Sequence, residues 1–343
     1  MTAFKLRPII IGTLIVGLLS LAALAAAQDG LPTKTPSPTP PASTTENTAP
    51  RQSVQSAPLE EPFIQADLNI LSGNVQRPNG LFWHNGKVYA SCNGDWTLYE
   101  IDAETGATIT YLWGIRNAHT LYVEDDATGV GLWVPDFQTN QLVHVVQRTM
   151  QTVATGLNGP WGIAPLDDRF LITNLLGNNI VSVTRDGAIE EVVGGLRSPA
   201  GLVVVDDAVY VANNGSARRA IEWIDRDSLS GSDVINASAV ITPQPLVSGL
   251  QNPTGLTMGP DGLLYVSYAL GTRGVIGRVD PVMCRENGGC TNNEVEIVVY
   301  TDLAAPLAGL AISPDMRLYT HTIFSPDIYF ADLGTDERTT TRR

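Results

Sequence analysis

Asn252–Pro281 reads NPTGLTMGPDGLLYVSYALGTRGVIGRVDP, and this stretch decides the fold because near-copies of it recur from about residue 77 to residue 334. It opens on Pro-x-Gly and runs into a short apolar strand. A tight turn through GPDG leads to a second strand with the aromatic-led run YVSYAL, then a polar loop, then a third strand. Short apolar runs punctuated by Gly, Pro and Asp are strand and turn signals. Six copies can be laid over one another, beginning at Arg77, Asn117, Gly159, Ser198, Asn252 and Ala305. Their aligned positions Gly80, His119, Gly162, Gly201, Gly255 and Gly309 lie 39, 43, 39, 54 and 54 residues apart. That period is the length of a four-stranded blade with variable loops, so the sequence predicts an all-β, six-bladed propeller over residues 61–335.

Segments such as QTVATGLNGP, IEEVVGGLRSP and QPLVSGLQNP precede the Pro-x-Gly openings and read as the outer strands that finish each blade. The segment Ile64–Leu71 has the same form, yet no blade precedes it, and the last repeat supplies only three strands. The N-terminal strand is therefore expected to complete the sixth blade and remove the open edge.

Ahead of the repeats, Lys5 and Arg7 precede an apolar run from Pro8 to Ala27 that ends in Ala25, Ala26 and Ala27. Residues 1–27 read either as a secretory signal cleaved at an A-x-A site or as an uncleaved N-terminal anchor, the run being long enough to span a bilayer. Both place the propeller outside the cytoplasm, secreted or held at a membrane through this segment alone. With no cysteine near the site, a lipidated bacterial anchor is excluded. Residues 28–60, rich in Pro, Ser and Thr, read as a disordered stalk, and residues 336–343 as a disordered tail.

The formal net charge of −14 disfavours nucleic acid, whose binding rests on Lys and Arg neutralising phosphates. Expected partners are a protein or a small molecule, and the chain is read as a monomer. Of three cysteines, Cys284 and Cys290 bracket a five-residue turn and are expected to pair in an oxidising compartment, while Cys92 reads as an apolar filler. Asn214-Gly215-Ser216 and Asn236-Ala237-Ser238 match the short glycosylation sequon.

In a propeller the Pro-x-Gly openings and the loops after the second strands meet at one mouth of the channel, where a site is expected. That mouth gathers Asn79, His119, Trp161 and Thr254 from the openings. From the second-strand ends come Asn93, Asp95, Trp96, Asp136, Asn174, Asn213, Asn214, Tyr268 and His321, with Arg218, Arg219 and Arg273 in the same loops. His119 with Asp136 would make a general base and its orienting carboxylate. Trp96, Trp161, Tyr268, Arg218 and Arg273, with the amides of Asn79, Asn93, Asn174 and Asn213, would instead receive a sugar, a peptide or an anionic ligand on flat rings and cations. Trp83, Trp113 and Trp133 stand in apolar strand contexts and are expected to fill space between blades.

PNGLFWHNGKVYA and NPTGLTMGPDGLLYVS resemble the NHL and gluconolactonase-like (regucalcin, senescence-marker) group of six-bladed propellers, over about residues 62–334. The resemblance implies a divalent cation, calcium or zinc, held in the channel by one Glu, two Asn and one Asp, several at the middle of the opening motif. Only Asn79 matches there; the others are Ala118 or His119, Trp161, Ala200, Thr254 and Ala308. Asn79, Asp136, Asn174 and Asn213 would offer four oxygens with one negative charge, a lean site for a hard cation. Two expectations stand side by side: an exported binding module acting at the mouth, and a metal-assisted lactonase or esterase with an altered ligand set.

Overall fold

The computed structural model describes residues 59–229 and 240–334. The N-terminal apolar run, the Pro/Ser/Thr-rich segment to residue 58, the Asn236 sequon and the C-terminal tail lie outside the described residues. The described chain builds six sheets in succession, each with a core of four antiparallel strands. Blade 1 shows the order: Pro78–His84, Lys87–Cys92, Thr97–Asp102 and Thr108–Trp113, from inner to outer. Blades 2 to 5 repeat it, with inner strands at Tyr122–Asp126, Pro160–Leu166, Pro199–Val204 and Leu256–Met258.

Blade 6 takes its first three strands from Leu310–Ile312, Arg317–His321 and Ile328–Asp332 and its outer strand from Asn69–Ser72, which pairs antiparallel with Ile328–Asp332. The N-terminal segment thus closes the ring as expected, with a refinement. Only Asn69–Ser72 joins blade 6; Phe63–Ile64 lies parallel against Val299 and Tyr300 on the outer edge of blade 5. A single 3-10 turn at Gln65–Asp67 separates the two, so ten residues staple two neighbouring blades.

The apolar alternation of the strands is consumed between blades. Six buried clusters each join one blade to the next around the ring. Tyr89 and Leu98 of blade 1, for instance, pack on Leu121, Val123 and Leu132 of blade 2, and Leu81 and Val88 pack on Tyr319 and Ile328 of blade 6. Nearest the channel, a hydroxyl links consecutive blades. The Gly80 N–H donates to Ser91 Oγ (3.0 Å), which donates to the Ala118 carbonyl (2.9 Å); Gly162, Thr173 Oγ1 and the Ala200 carbonyl repeat this at 2.7 Å each. This contact explains the repeat's glycine: a Cβ at Gly162 would sit 2.4 Å from the Ala200 carbonyl oxygen.

The long insertion in blade 5 carries a helix, Pro281–Glu286, capped by the Asp280 carboxylate on the Val282 and Met283 N–H groups. Cys284 and Cys290 form a disulfide, and Cys290–Thr291 adds a fifth, parallel strand to the outer edge of blade 4. Cys92 is free and buried, and burial pushes its thiol pKa far up.

Candidate functional site

Inner strands begin, and second strands end, at one face of the ring, so the loops between them form a single rim around the channel mouth. Blades 2, 3 and 4 show how that rim is held. The last residue of the second strand turns its side-chain oxygen onto the loop that leads into its own inner strand: Asn174 accepts from the Asn158 N–H (3.1 Å) and Asn213 from the Arg197 N–H (2.9 Å). The next N–H in each loop goes to an asparagine of the preceding blade. Asn140 takes the Gly159 N–H and Asn178 the Ser198 N–H, both at 2.8 Å. Asn140 and Asn178 sit just before their third strands at φ of 56° and 57°, the left-handed region that Asn tolerates.

Blade 1 departs from this scheme. Its left-handed position before the third strand is Trp96, at φ 61°, where a bulky aromatic side chain is a backbone outlier. The N–H that an asparagine there would hold belongs to Asn117, and Asp136 holds it instead. One Asp136 oxygen accepts from the Arg116 N–H (3.0 Å), the other from the N–H groups of Asn117 (3.2 Å), Gln138 (3.0 Å) and Thr139 (3.3 Å). A carboxylate has a second acceptor where an asparagine has an NH₂. Asp136 thereby does the duty of two asparagines and releases position 96 to carry a tryptophan.

That tryptophan faces outward. Trp96 is 38% exposed and lies 6.0 Å from Trp113, which is 65% exposed, with the Arg116 guanidinium 5.3 Å above the Trp96 ring. Trp113, expected between blades, is therefore a rim residue: it ends the outer strand and points past the sheet. Trp133 is buried, stacked on His144, and Trp83 packs partly between blades 6 and 1.

Deeper in the mouth, the buried His119 ring stacks on Trp161 (3.4 Å between centroids, 6° between planes) with Phe137 edge-on at 5.3 Å. Desolvation, and to a smaller extent the nearby His321, lower the His119 pKa to about 3, so the imidazole is neutral. Its Nδ1 is buried and has no hydrogen-bond partner among the described residues. Beside it, Asn79 Nδ2 (2.9 Å) and Asn93 Nδ2 (3.4 Å) both donate to Asn117 Oδ1. His321, fully buried and lowered to about 4 by desolvation, occupies the place of the linking hydroxyl in blade 6. Its Nε2 is 2.8 Å from both the Gly309 N–H and the Asn79 carbonyl.

The structure brings together Asn79, Asn93, Trp96, His119 and Trp161 on the blade 1 to 3 side of the mouth. It does not bring Asp136 to His119, because both carboxylate oxygens are turned onto the backbone. Asn174 and Asn213 are buried caps, and Asn213 Nδ2 also donates to Glu222 (2.6 Å) and to the Arg219 carbonyl. Tyr268 is buried in the cluster between blades 4 and 5. Arg273 pairs with Asp302, while Arg218 is exposed on the rim. In the sequence alone Asn117, Phe137 and Arg116 carry no assigned role and Trp113 reads as filler; the polar run before an opening motif that lacks its Pro-x-Gly was the available signal. A separate cavity of about 370 Å³ opens on the opposite face between blades 6 and 1, lined by Trp83, Asp102, Glu104, Asp315, Arg317 and Tyr319 among others.

No family model matches the sequence, and no curated protein matches it. Solved structures do resemble it in three dimensions. A gluconolactonase from Xanthomonas campestris aligns over 77% of this chain and 88% of its own, at a TM-score of 0.57 and 15% identity. A streptogramin B lyase aligns over 77% and 96%, with a TM-score of 0.54 and 16% identity. A protein of unknown function from Bacteroides thetaiotaomicron aligns over 77% and 75%, at 0.56 and 12%. The fold is a six-bladed propeller, shared with the gluconolactonase and the lyase. At these identities the likeness extends to the scaffold, and a scaffold hosts many chemistries.

The divalent cation implied by the gluconolactonase resemblance can be tested against the donors present. Asn79, Asp136, Asn174 and Asn213 do not fit it. The oxygens of the last three accept backbone N–H bonds, and Asn213 is tied to Glu222 as well. A hard cation needs several oxygens free to converge on it. Among the described residues no group of three or more His, Cys, Asp or Glu converges on a metal position.

Proposed function

We propose that this chain is an exported binding module whose recognition surface is the rim of the channel mouth over blades 1 to 3, and that the N-terminal segment secretes it or holds it at a membrane. The observation that carries the reading is Trp96. A tryptophan held in the left-handed region costs about 1–3 kcal/mol at a position where blades 2 and 3 use asparagine. That cost is not offset in the core, since the ring enters no interblade cluster and lies 38% exposed against Trp113 and Arg116 at the surface. Strain retained to present an aromatic ring at the surface is a mark of a functional position. Behind this platform, the neutral His119 against Trp161 and the Asn79–Asn93–Asn117 amides supply a flat face and a few directed polar groups, the composition of a ligand site.

The test compares the wild-type protein with Trp96→Asn on peptide and glycan arrays, alongside thermal unfolding. The variant is expected to lose array binding while melting at the same or a higher temperature. Equal binding by both proteins would sink the reading. So would calcium- or zinc-dependent hydrolysis of a lactone by the wild type, lost on chelation.

A further inference from the structure

The two faces of the ring differ in how their charges are spent. Opposite the mouth, Arg185, Arg226, Arg285 and Arg317 are neutralised by Glu124, Asp167, Asp207 and Asp332, and Lys87 by Asp102. The turns of that face carry further acids, among them Asp168, Asp186, Asp206, Asp280 and Asp315. The protein's net negative charge is therefore concentrated there. On the mouth rim, Arg77, Arg116, Arg197 and Arg218 are exposed, and none makes an ion pair among the described residues. Of the rim's own carboxylates, Asp302 pairs with Arg273, while Asp95 and Asp327 accept from the Tyr99 and Tyr329 hydroxyls and Asp136 from backbone N–H groups, neutral donors that fix these side chains without cancelling their charge. An acidic protein thus keeps one face on which four exposed arginines stand outside any ion pair among the described residues.

The same rim carries exposed apolar side chains from four blades. Trp96 and Trp113 stand on blade 1, Leu176 on blade 3, Leu270 on blade 5 and Phe324 on blade 6. A small molecule would not span that spread, and leucines offer no flat face to a sugar ring. Exposed tryptophan with arginine, ringed by aliphatics, is the composition of a protein–protein contact.

Resting on the reading of the rim as a binding surface, we infer that its partner is an acidic polypeptide. Its carboxylates pair with Arg77, Arg116, Arg197 and Arg218, and its apolar side chains seat on the Trp96–Trp113 platform. Arg116 joins the two halves of the site, because its guanidinium lies over Trp96 while remaining unpaired. Complementary charge of this kind would steer association and make it sensitive to salt.

The experiment selects phage-displayed random dodecapeptides on the immobilised full chain and measures the winners in solution. Expected are peptides rich in Asp and Glu with interspersed Leu or aromatic residues. Their affinity should fall at least tenfold between 50 and 300 mM salt, and at least tenfold in Arg116→Gln and in Trp113→Ala. Arg148→Gln, on the opposite face, should leave it unchanged. Neutral or basic winners that still depend on Trp96 would overturn the acidic partner and leave the rim as a binding surface. Winners indifferent to Trp96, Trp113 and Arg116 alike would overturn both. Retention of polygalacturonate with no peptide enriched would overturn the polypeptide class in favour of a carboxylated glycan.

Discussion

Asp136 and Trp96 are coupled through a single N–H. In blades 3 and 4 the loop before the inner strand is held by one asparagine of its own blade and one of the blade before; in blade 2 both duties fall on Asp136. Asp136→Asn would set an NH₂ against the Arg116 or Asn117 N–H and leave a buried donor unsatisfied, a loss of roughly 1–3 kcal/mol. In a Trp96→Asn background the new asparagine supplies the missing acceptor, so the same substitution should cost less. A double-mutant cycle by urea denaturation is expected to show a favourable coupling of at least about 0.5 kcal/mol; additive costs would refute the shared duty. A second prediction concerns the two buried imidazoles. His119 and His321 are held near 3 and 4 by burial, whereas an unfolded histidine takes its proton near 6.5. The unfolded state therefore binds more protons between those limits. The stability of the folded form is fully present above about pH 6.5 and falls as pH drops toward 4, by up to about 1.4 kcal/mol per pH unit for each ring. His119→Phe keeps a flat ring on Trp161 and removes one titration. Measured against the wild type, which cancels the carboxylates common to both, it should lose less stability between pH 7 and pH 4.5. An identical pH dependence would mean that His119 is solvated.

At the scale of the element, what was legible in the sequence and what was not divide along a physical line. Blade spacing, inner and outer strands and the ring-closing strand could be read because Pro-x-Gly, Gly turns and apolar alternation answer to backbone sterics and burial at each position separately. The left-handed turns could not, because φ at Trp96, Asn140 and Asn178 becomes visible only once the blades are superimposed in space. Hence Asn174, Asn213 and Asp136 looked like oxygen ligands when they are caps, and Trp113 looked like filler when it is rim. Tyr268 misled for a related reason: it follows the linking hydroxyl Ser267 as Cys92 follows Ser91, and that position is buried between blades in both. The disulfide was readable from its short spacing, but its consequence was not, since Cys290 carries the strand that extends blade 4. Opening the bridge by Cys284→Ser with Cys290→Ser frees a loop with a sequence separation of 6. On loop-closure entropy this costs about 2 kcal/mol, and the added strand should fray with it. Hydrogen exchange at Val247 and Ser248, the residues paired to it, is expected to quicken while blade 1 stays protected. Unchanged protection there would show the strand to be held without the bridge.

For the whole molecule, the ring closes through the N-terminal segment, so its integrity depends on ten residues far in sequence from the blades they join. Asn69–Ser72 satisfies the free edge of Ile328–Asp332, and Leu71 enters the cluster between blades 6 and 1. Phe63, on the parallel strand against Val299, is buried in the cluster between blades 5 and 6, and the Leu59 N–H reaches Glu296 (2.6 Å). The two pairings should fail differently. A chain beginning at residue 66 loses the blade 5 staple and the Phe63 side chain, at about 3–5 kcal/mol by the cost of removing a buried phenylalanine, yet it keeps four strands in blade 6. It should remain monomeric and cooperative, with a lower urea midpoint. A chain beginning at residue 75 also exposes the edge of Ile328–Asp332, a row of unpaired backbone groups that a second copy can satisfy. That protein is expected to appear as dimers or larger species in light scattering, with a broadened unfolding transition. Adding a synthetic peptide of residues 59–74 should return it to monomers. A monomeric, cooperatively unfolding chain from residue 75 would show that the six interblade cores alone hold the ring, and that the N-terminal strand is an accessory to a structure already closed by packing.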